Sequence, residues 1–148
     1  MEIINLKNNM QYIKQTALLE RELWGNNVSC SAYIDTIKKA LKKPNYTIFL
    51  AKDENTILGY VETDIFYSYD EKYSLKPILF ICGLYVTPSK RNNGVATNLL
   101  LELEKYARDI GCEQIASSYY SFNKESKKLH DKLGFKETSQ IINVIKNI

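Results

Sequence analysis

The chain is poor in histidine, cysteine, tryptophan and proline, and each scarcity excludes something. One His and three cysteines, Cys30, Cys82 and Cys112, stand far apart with no CxxC pair. That leaves no zinc knuckle, no disulfide framework and no protein-built metal site, and points to a reduced, metal-free, cytoplasmic protein. Charge of one sign is also scarce. Twenty Lys and Arg against 17 Asp and Glu give +3 at pH 7, too little to argue for nucleic acid or an anionic membrane. No apolar run approaches the ~20 residues of a membrane span. The opening MEIINLKNNM lacks the basic segment and long apolar stretch of a signal peptide. No repeat, low-complexity tract or linker divides the 148 residues, so a single domain over 1–148 is expected.

What is present is enough apolar material for a core, 45% of the residues, and an unusual tilt toward tyrosine, 11 of the 17 aromatic side chains. Four tyrosines lie between Tyr60 and Tyr73, which suggests a wall for a polar ligand. Ile3, Ile4 and Leu6 suggest a short first strand. Helical spacing runs from Met10 to Trp24 and stops at Gly25, and a second helix spans about Ser31 to Lys43 before Pro44. Residues 46–52 and 56–66 read as a hairpin turning at Asp53-Glu54-Asn55, and residues 67–77 as a polar, aromatic loop. ILFICGLYV (78–86) is apolar on both faces, a central strand, and Gly83 inside it marks a bulge or a close approach to the backbone. A strong helix covers about Gly94 to Ile110, with Leu99, Leu103, Tyr106 and Ile110 as its buried stripe. A strand over 113–120, a short helix over 123–134 and a closing strand or hairpin complete an α/β chain on one mixed sheet.

The chemistry concentrates where the central strand ends. Leu84-Tyr85-Val86 leads into Thr87-Pro88-Ser89-Lys90, then Arg91-Asn92-Asn93-Gly94-Val95-Ala96 opens a helix. Successive amides at a helix N-terminus, with small residues beside them and basic side chains nearby, suit a pyrophosphate. Further on, Asn123 begins a helix and Ser126 and His130 follow at i+3 and i+7, on the same side; LGF (133–135) then re-enters the sheet.

On these motifs the chain resembles the GNAT superfamily of acetyl-CoA-dependent N-acetyltransferases. Within it, the likeness is strongest to the aminoglycoside 6′-N-acetyltransferases: LLERELW (18–24), VETDIFYSY (61–69), LFICGLYVTPSKRNNGVATNLL after Pro77, GCEQIASS (111–118), N-x-x-S-x-x-x-H and LGFKET (133–138). The resemblance implies a GNAT fold: a single mixed, mostly antiparallel sheet with splayed central strands and about four helices on its faces. It implies that amides from Asn92 to Ala96, with Arg91, hold the pyrophosphate of acetyl-CoA. The main chain of Leu84, Tyr85 and Val86 would pair with the pantetheine arm, Asn123 and Ser126 would hold that arm, and His130 would lie near the thiol.

For catalysis the resemblance implies an oxyanion contact from the Leu84 amide, proton donation to the leaving thiolate by His130, and orientation or deprotonation of the amine by Glu62. Strand alternation alone equally allows Glu62 to face solvent. Trp24, Tyr67 and Tyr69 would wall the acceptor pocket. Two positions depart from the resistance enzymes: Cys82 and Ser118 stand where relatives often carry Glu and Asp toward a polycationic sugar. Asp64, Asp70 and Glu71 stand nearby as possible substitutes for that charge. Cys82 reads as a small buried hydrophobe rather than a nucleophile. The expected partner is a small-molecule amine, most nearly an aminoglycoside. The alternatives are a polyamine, an amino-sugar metabolite, a protein N-terminus or aminoacyl-tRNA, or an idle acyl-CoA-binding module. The apolar residues Ile141, Ile142, Val144, Ile145 and Ile148 are suited to pairing across a two-fold in a homodimer.

Overall fold

Short segments rich in apolar residues, from the three of QIA to the nine of ILFICGLYV, become the strands of one sheet. The structure, a computed structural model, describes residues 1–67 and 76–148, which fall into two compact units, Met1–Ser117 and Ser118–Ile148. In the first unit the strands are β1 (Glu2–Asn5), β2 (Thr47–Asp53), β3 (Thr56–Phe66), β4 (Ile78–Val86) and β5 (Gln114–Ala116), paired in that order. All neighbours are antiparallel except β4 and β5, which run parallel. The sheet is therefore mixed and mostly antiparallel. Glu54, at φ 51°, makes the tight turn between β2 and β3.

Among the described residues three α-helices belong to this unit: α1 (Ile13–Trp24), α2 (Cys30–Ala40) and α3 (Val95–Asp109). Gly25 ends α1 with φ 117°, and Ser29 starts α2 by accepting the Ala32 amide at 3.2 Å. Alternation along β2 divides the core. Ile48 and Leu50 join Leu6, Ala17, Ile37 and Tyr60 beneath α1 and α2, while Phe49 meets Tyr106 of α3 edge to face at 5.3 Å. Leu99 and Leu103 of α3 are fully buried, as their spacing demands.

Two irregularities shape the centre of the sheet. Glu62 pairs with Gly83 but Thr63 with Ile81, so Cys82 is an extra residue that bulges from β4. On the other edge of β3, Gly59 opposes Ala51 and Ile57 opposes Lys52, which makes Leu58 the extra residue there. The bulge expected near Gly83 is therefore present, one residue before it.

The second unit holds α4 (Lys124–Lys132). Asn123 caps it by accepting the Ser126 amide at 3.0 Å.

Three expected boundaries need correction. The second helix stops at Ala40 instead of Lys43, because Lys42 and Lys43 bond back three residues and close a tight turn before Pro44. The strand expected over 113–120 spans only Gln114–Ala116, since Ser117 and Ser118 bring no apolar alternation to bury. The closing strand is absent among the described residues: 133–148 has no ladder partner, and Ile141, Ile142, Val144, Ile145 and Ile148 stand exposed. The expected loop is described only at its ends, with 68–75 outside the described residues.

Candidate active site

β4 and β5 pair only as far as Phe80 and Ala116. Beyond Phe80, β4 continues for six residues to Val86, with β3 its one strand neighbour among the described residues. The Thr87 amide donates to Leu58 O at 2.9 Å. Antiparallel ladders alternate bonded and non-bonded pairs. Counting back from Thr87, the main-chain groups of Leu84 and Val86 point away from β3, into the notch where the strands splay. The notch is thus a free strand edge, and an extended chain of amides and carbonyls could pair along it.

The turn that follows is open to solvent. Arg91, Asn92, Asn93 and Gly94 are all exposed. Asn92 (φ 62°) and Gly94 (φ 77°) are left-handed, a conformation in which Gly is unstrained and Asn tolerated. Among the described residues no side chain caps the N-terminus of α3, so its leading amides remain available to an anion. Arg91 lies back across the strand end: Nε donates to Val86 O at 3.0 Å, and the guanidinium sits 5.6 Å from the Tyr85 ring centre. Tyr85 in turn donates to Glu22 at 2.5 Å. The free edge and the uncapped turn fit two adjoining parts of coenzyme A, an amide-bearing pantetheine arm and a pyrophosphate.

On the α1/α2 side of the sheet a cavity of about 330 Å³ is lined by Glu20, Trp24, Val28, Tyr33, Thr36, Ile37, Tyr46 and Glu62. Glu62 is 8% exposed, so the reading of a solvent-facing strand carboxylate is excluded. Its side chain lies over Gly83, where an added Cβ would stand 3.1 Å from Glu62 Cδ. The Tyr46 hydroxyl donates to Glu62 Oε2. Burial raises the Glu62 carboxyl above the usual range, while hydrogen bonds from Tyr46 and Trp24 pull it back. The resemblance did not single out Glu20, which is 5% exposed. Burial, then repulsion from Glu62, push its carboxyl up to about 8. Its sequence signal was a charge on the apolar stripe of α1, in line with Ala17 and Trp24.

The other expected acceptor residues are dispersed. Trp24 lines the cavity while remaining largely exposed, and Tyr67 is exposed just past β3. Tyr69, Asp70 and Glu71 lie outside the described residues. Cys82 is half-buried and its thiol is pushed up to about 11, first by burial and then by Glu62, which suits an inert side chain better than a nucleophile. Asp64 pairs with Lys43 at 3.8 Å. Ser118 is exposed, at the start of the second unit.

Within the second unit the expected trio is assembled. Asn123 caps α4, and Ser126 Oγ lies 3.3 Å from His130 Nδ1. The same Nδ1 is 2.7 Å from the Ser126 carbonyl. A carbonyl only accepts, so Nδ1 carries the proton in the neutral ring and Nε2 the lone pair. The imidazole is held between the Tyr119 and Phe135 rings, 5.0 and 5.1 Å away. Among the described residues no cluster of three His, Cys, Asp or Glu side chains suits a metal ion. No helix among them is long and apolar enough to cross a membrane.

The acetyltransferase (GNAT) family model matches residues 13–135. The aminoglycoside N(6′)-acetyltransferase type 1 of Acinetobacter genomosp. 13 is 30% identical over 131 residues, 88% of this chain and 88% of its own. That of Salmonella enteritidis is 27% identical over 134 residues, 90% of this chain and 92% of its own. Among solved structures, AAC(6′)-Iy in complex with the bisubstrate analogue CoA-S-monomethyl-acetylneamine matches with a TM-score of 0.86 at 26% identity, over 99% of this chain and 98% of that one. AAC(6′)-IG from Acinetobacter haemolyticus, without ligand, matches with a TM-score of 0.81 at 26% identity, over 100% and 99%. The splayed mixed sheet with its four helices is the fold these enzymes share.

Proposed function

Since the chain belongs to the GNAT acetyltransferase family and is an acyltransferase by that membership, we propose that it moves the acetyl group of acetyl-CoA to a primary amine by direct attack, with an aminoglycoside 6′-amine as the acceptor. The observation that carries this reading is the free edge of β4 ending at an exposed turn, Arg91 to Gly94, that leads into the uncapped N-terminus of α3. The relatives named for the same reaction span nearly the whole chain. The whole length, 1–148, then works as one N-acetyltransferase domain, in the cytoplasm where acetyl-CoA is made.

In this reading the amides of Asn92, Asn93, Gly94, Val95 and Ala96, with Arg91, hold the pyrophosphate. Leu84, Tyr85 and Val86 pair with the pantetheine arm, and Asn123 and Ser126 contribute to holding it. The Leu84 amide stabilises charge developing on the acetyl oxygen. Glu62 orients the amine and takes its proton. His130, with Nδ1 tied to Ser126, donates from Nε2 to the departing thiolate when doubly protonated. Trp24, Tyr67 and Tyr69 wall the acceptor, and Cys82 and Ser118 stand where carboxylates would otherwise meet a polycation. Because each missing charge-assisted contact weakens such a sugar by about 1.5–3 kcal/mol, the second reading is another amine: a polyamine, an amino-sugar metabolite, a protein N-terminus or aminoacyl-tRNA. The exposed apolar residues from Ile141 to Ile148 support a homodimer.

Purified protein mixed with acetyl-CoA and a panel of aminoglycosides, polyamines and peptides, followed by release of the CoA thiol, tests the proposal. Turnover of kanamycin-type sugars is expected. Turnover confined to other amines replaces the acceptor, and tight acetyl-CoA binding with no turnover of any amine rejects the enzyme reading of this site.

A further inference from the structure

Glu20 is 95% buried by its 5% exposure, lines the cavity below α1, and its Oε1 has no hydrogen-bond partner among the described residues. A second carboxylate, Glu62, shares that cavity from β3. Burial next to a like charge is unfavourable for both groups, and an apolar side chain at position 20 would match the rest of the α1 stripe. None of the cavity's lining side chains among the described residues is basic. The side chains around the pair are Tyr33 of α2, Tyr46 before β2, Tyr60 of β3, Cys82 of β4 and Trp24 at the end of α1, all uncharged at neutral pH. Nothing among them supplies the positive charge that two buried carboxylates lack.

Resting on the transferase reading above, we infer that Glu20 and Glu62 together bind the ammonium group of the acceptor, and that Glu20 is a specificity-determining residue selecting an aliphatic primary amine carried on a group about the size of one sugar ring. The cavity of about 330 Å³ is at the small end of ligand pockets, enough for one ring and its aminomethyl arm, with the remaining rings of a larger acceptor left outside it. Val28 and Ile37 give it apolar walls, and the Trp24 face suits a cation. The arrangement also accounts for the uncharged Cys82: counter-charge missing at that position is supplied inside the cavity.

Proton balance follows from the pair. With Glu20 held up to about 8, at pH 7 the empty cavity keeps a proton on Glu20. Entry of an ammonium ion favours both carboxylates ionised, so the Glu20 proton leaves to solvent. Amine binding therefore tightens as pH rises toward 8 and levels off above it.

Trp24 is the chain's single tryptophan, so its fluorescence reports the cavity directly. Cyclohexanemethylamine is titrated into the full chain at pH 6 to 8.5, with cyclohexanemethanol as the uncharged counterpart. Saturable quenching by the amine is expected. Glu20→Gln should raise its Kd tenfold or more, remove most of the pH dependence, and leave the alcohol's binding unchanged. Glu20→Asp, which keeps the charge, should bind the amine better than Glu20→Gln does. The inference is overturned if the amine gives no saturable quenching in the natural protein. Equal amine affinity in the natural protein and Glu20→Gln, parallel loss of amine and alcohol, or an Asp variant no better than Gln overturns it as well. Thiol release from acetyl-CoA separates the two claims. Turnover with an amine affinity indifferent to Glu20 leaves the transferase standing and removes this inference, whereas Glu20-dependent amine binding without turnover of any amine does the reverse.

Discussion

A carboxyl group that keeps its proton near neutrality makes stability depend on pH in the opposite sense to a salt-bridged acid. Glu20 titrates at about 8 in the folded chain against 4.5 as an ordinary Glu, with burial the larger cause. Its contribution is therefore fully present below about 4.5 and is lost as pH rises through 8. Glu20→Gln keeps the shape and removes the charge, so it should be about 2–4 kcal/mol more stable than the natural protein at pH 9 and near parity at pH 4. Thermal unfolding of the pair across pH 4–9 checks this: the gap in Tm should open toward alkaline pH to roughly 5–10 °C, and a constant gap would show that Glu20 ionises freely in the folded state. The same two carboxylates mark how far single residues were legible. The motif singles out Glu62 but not its burial, because a strand alternates and the extra residue Leu58 in β3 resets which face each residue takes. Glu20 was passed over because a Glu among Arg21 and Glu22 looks like part of a solvated helix face.

At the scale of elements, three helices carry punctuation that the sequence shows, Gly25 as the stop of α1, Asn123 at the start of α4 and a full apolar stripe in α3, whereas the end of α2 at Ala40 carries none. Strand lengths read less well, since the end of a strand depends on where its neighbour diverges, as β5 does from β4 after Ala116. The turn before α3 combines both kinds of signal. Gly94 takes φ 77°, and its nearest neighbour for an added Cβ is Asn98 Nδ2 at 3.6 Å, so space is available and the backbone conformation is the obstacle. Gly94→Ala should cost about 1–2 kcal/mol, or roughly 2–8 °C in Tm. It should also weaken CoA by more than tenfold, because the methyl group and any relaxation of φ both disturb the amides offered to the pyrophosphate. Calorimetry with CoA, run beside the melting curve, separates the effects. A variant that loses stability but binds CoA normally would move the phosphate site elsewhere.

For the molecule as a whole, the last sixteen residues pose the outstanding energetic question. Ile141, Ile142, Val144 and Ile145 are 83–94% exposed and Ile148 wholly so, and each such side chain gains about 1.5–3 kcal/mol when buried. The sequence reading found the apolar character of this stretch and expected a strand. It had no means of finding the partner, because a strand is defined by the ladder it joins, and that ladder need not be in the same chain. In the proposed homodimer a second copy supplies the segment's cover. Size-exclusion chromatography with light scattering should then give twice 17.1 kDa at micromolar concentration, with a Tm that rises with protein concentration. Replacing Ile142 and Ile145 together by Asp should halve the measured mass, since two charges among buried apolar side chains are strongly unfavourable. A natural chain that runs at the mass of one copy, with a concentration-independent Tm, would mean that the segment stays in water and that the homodimer is wrong.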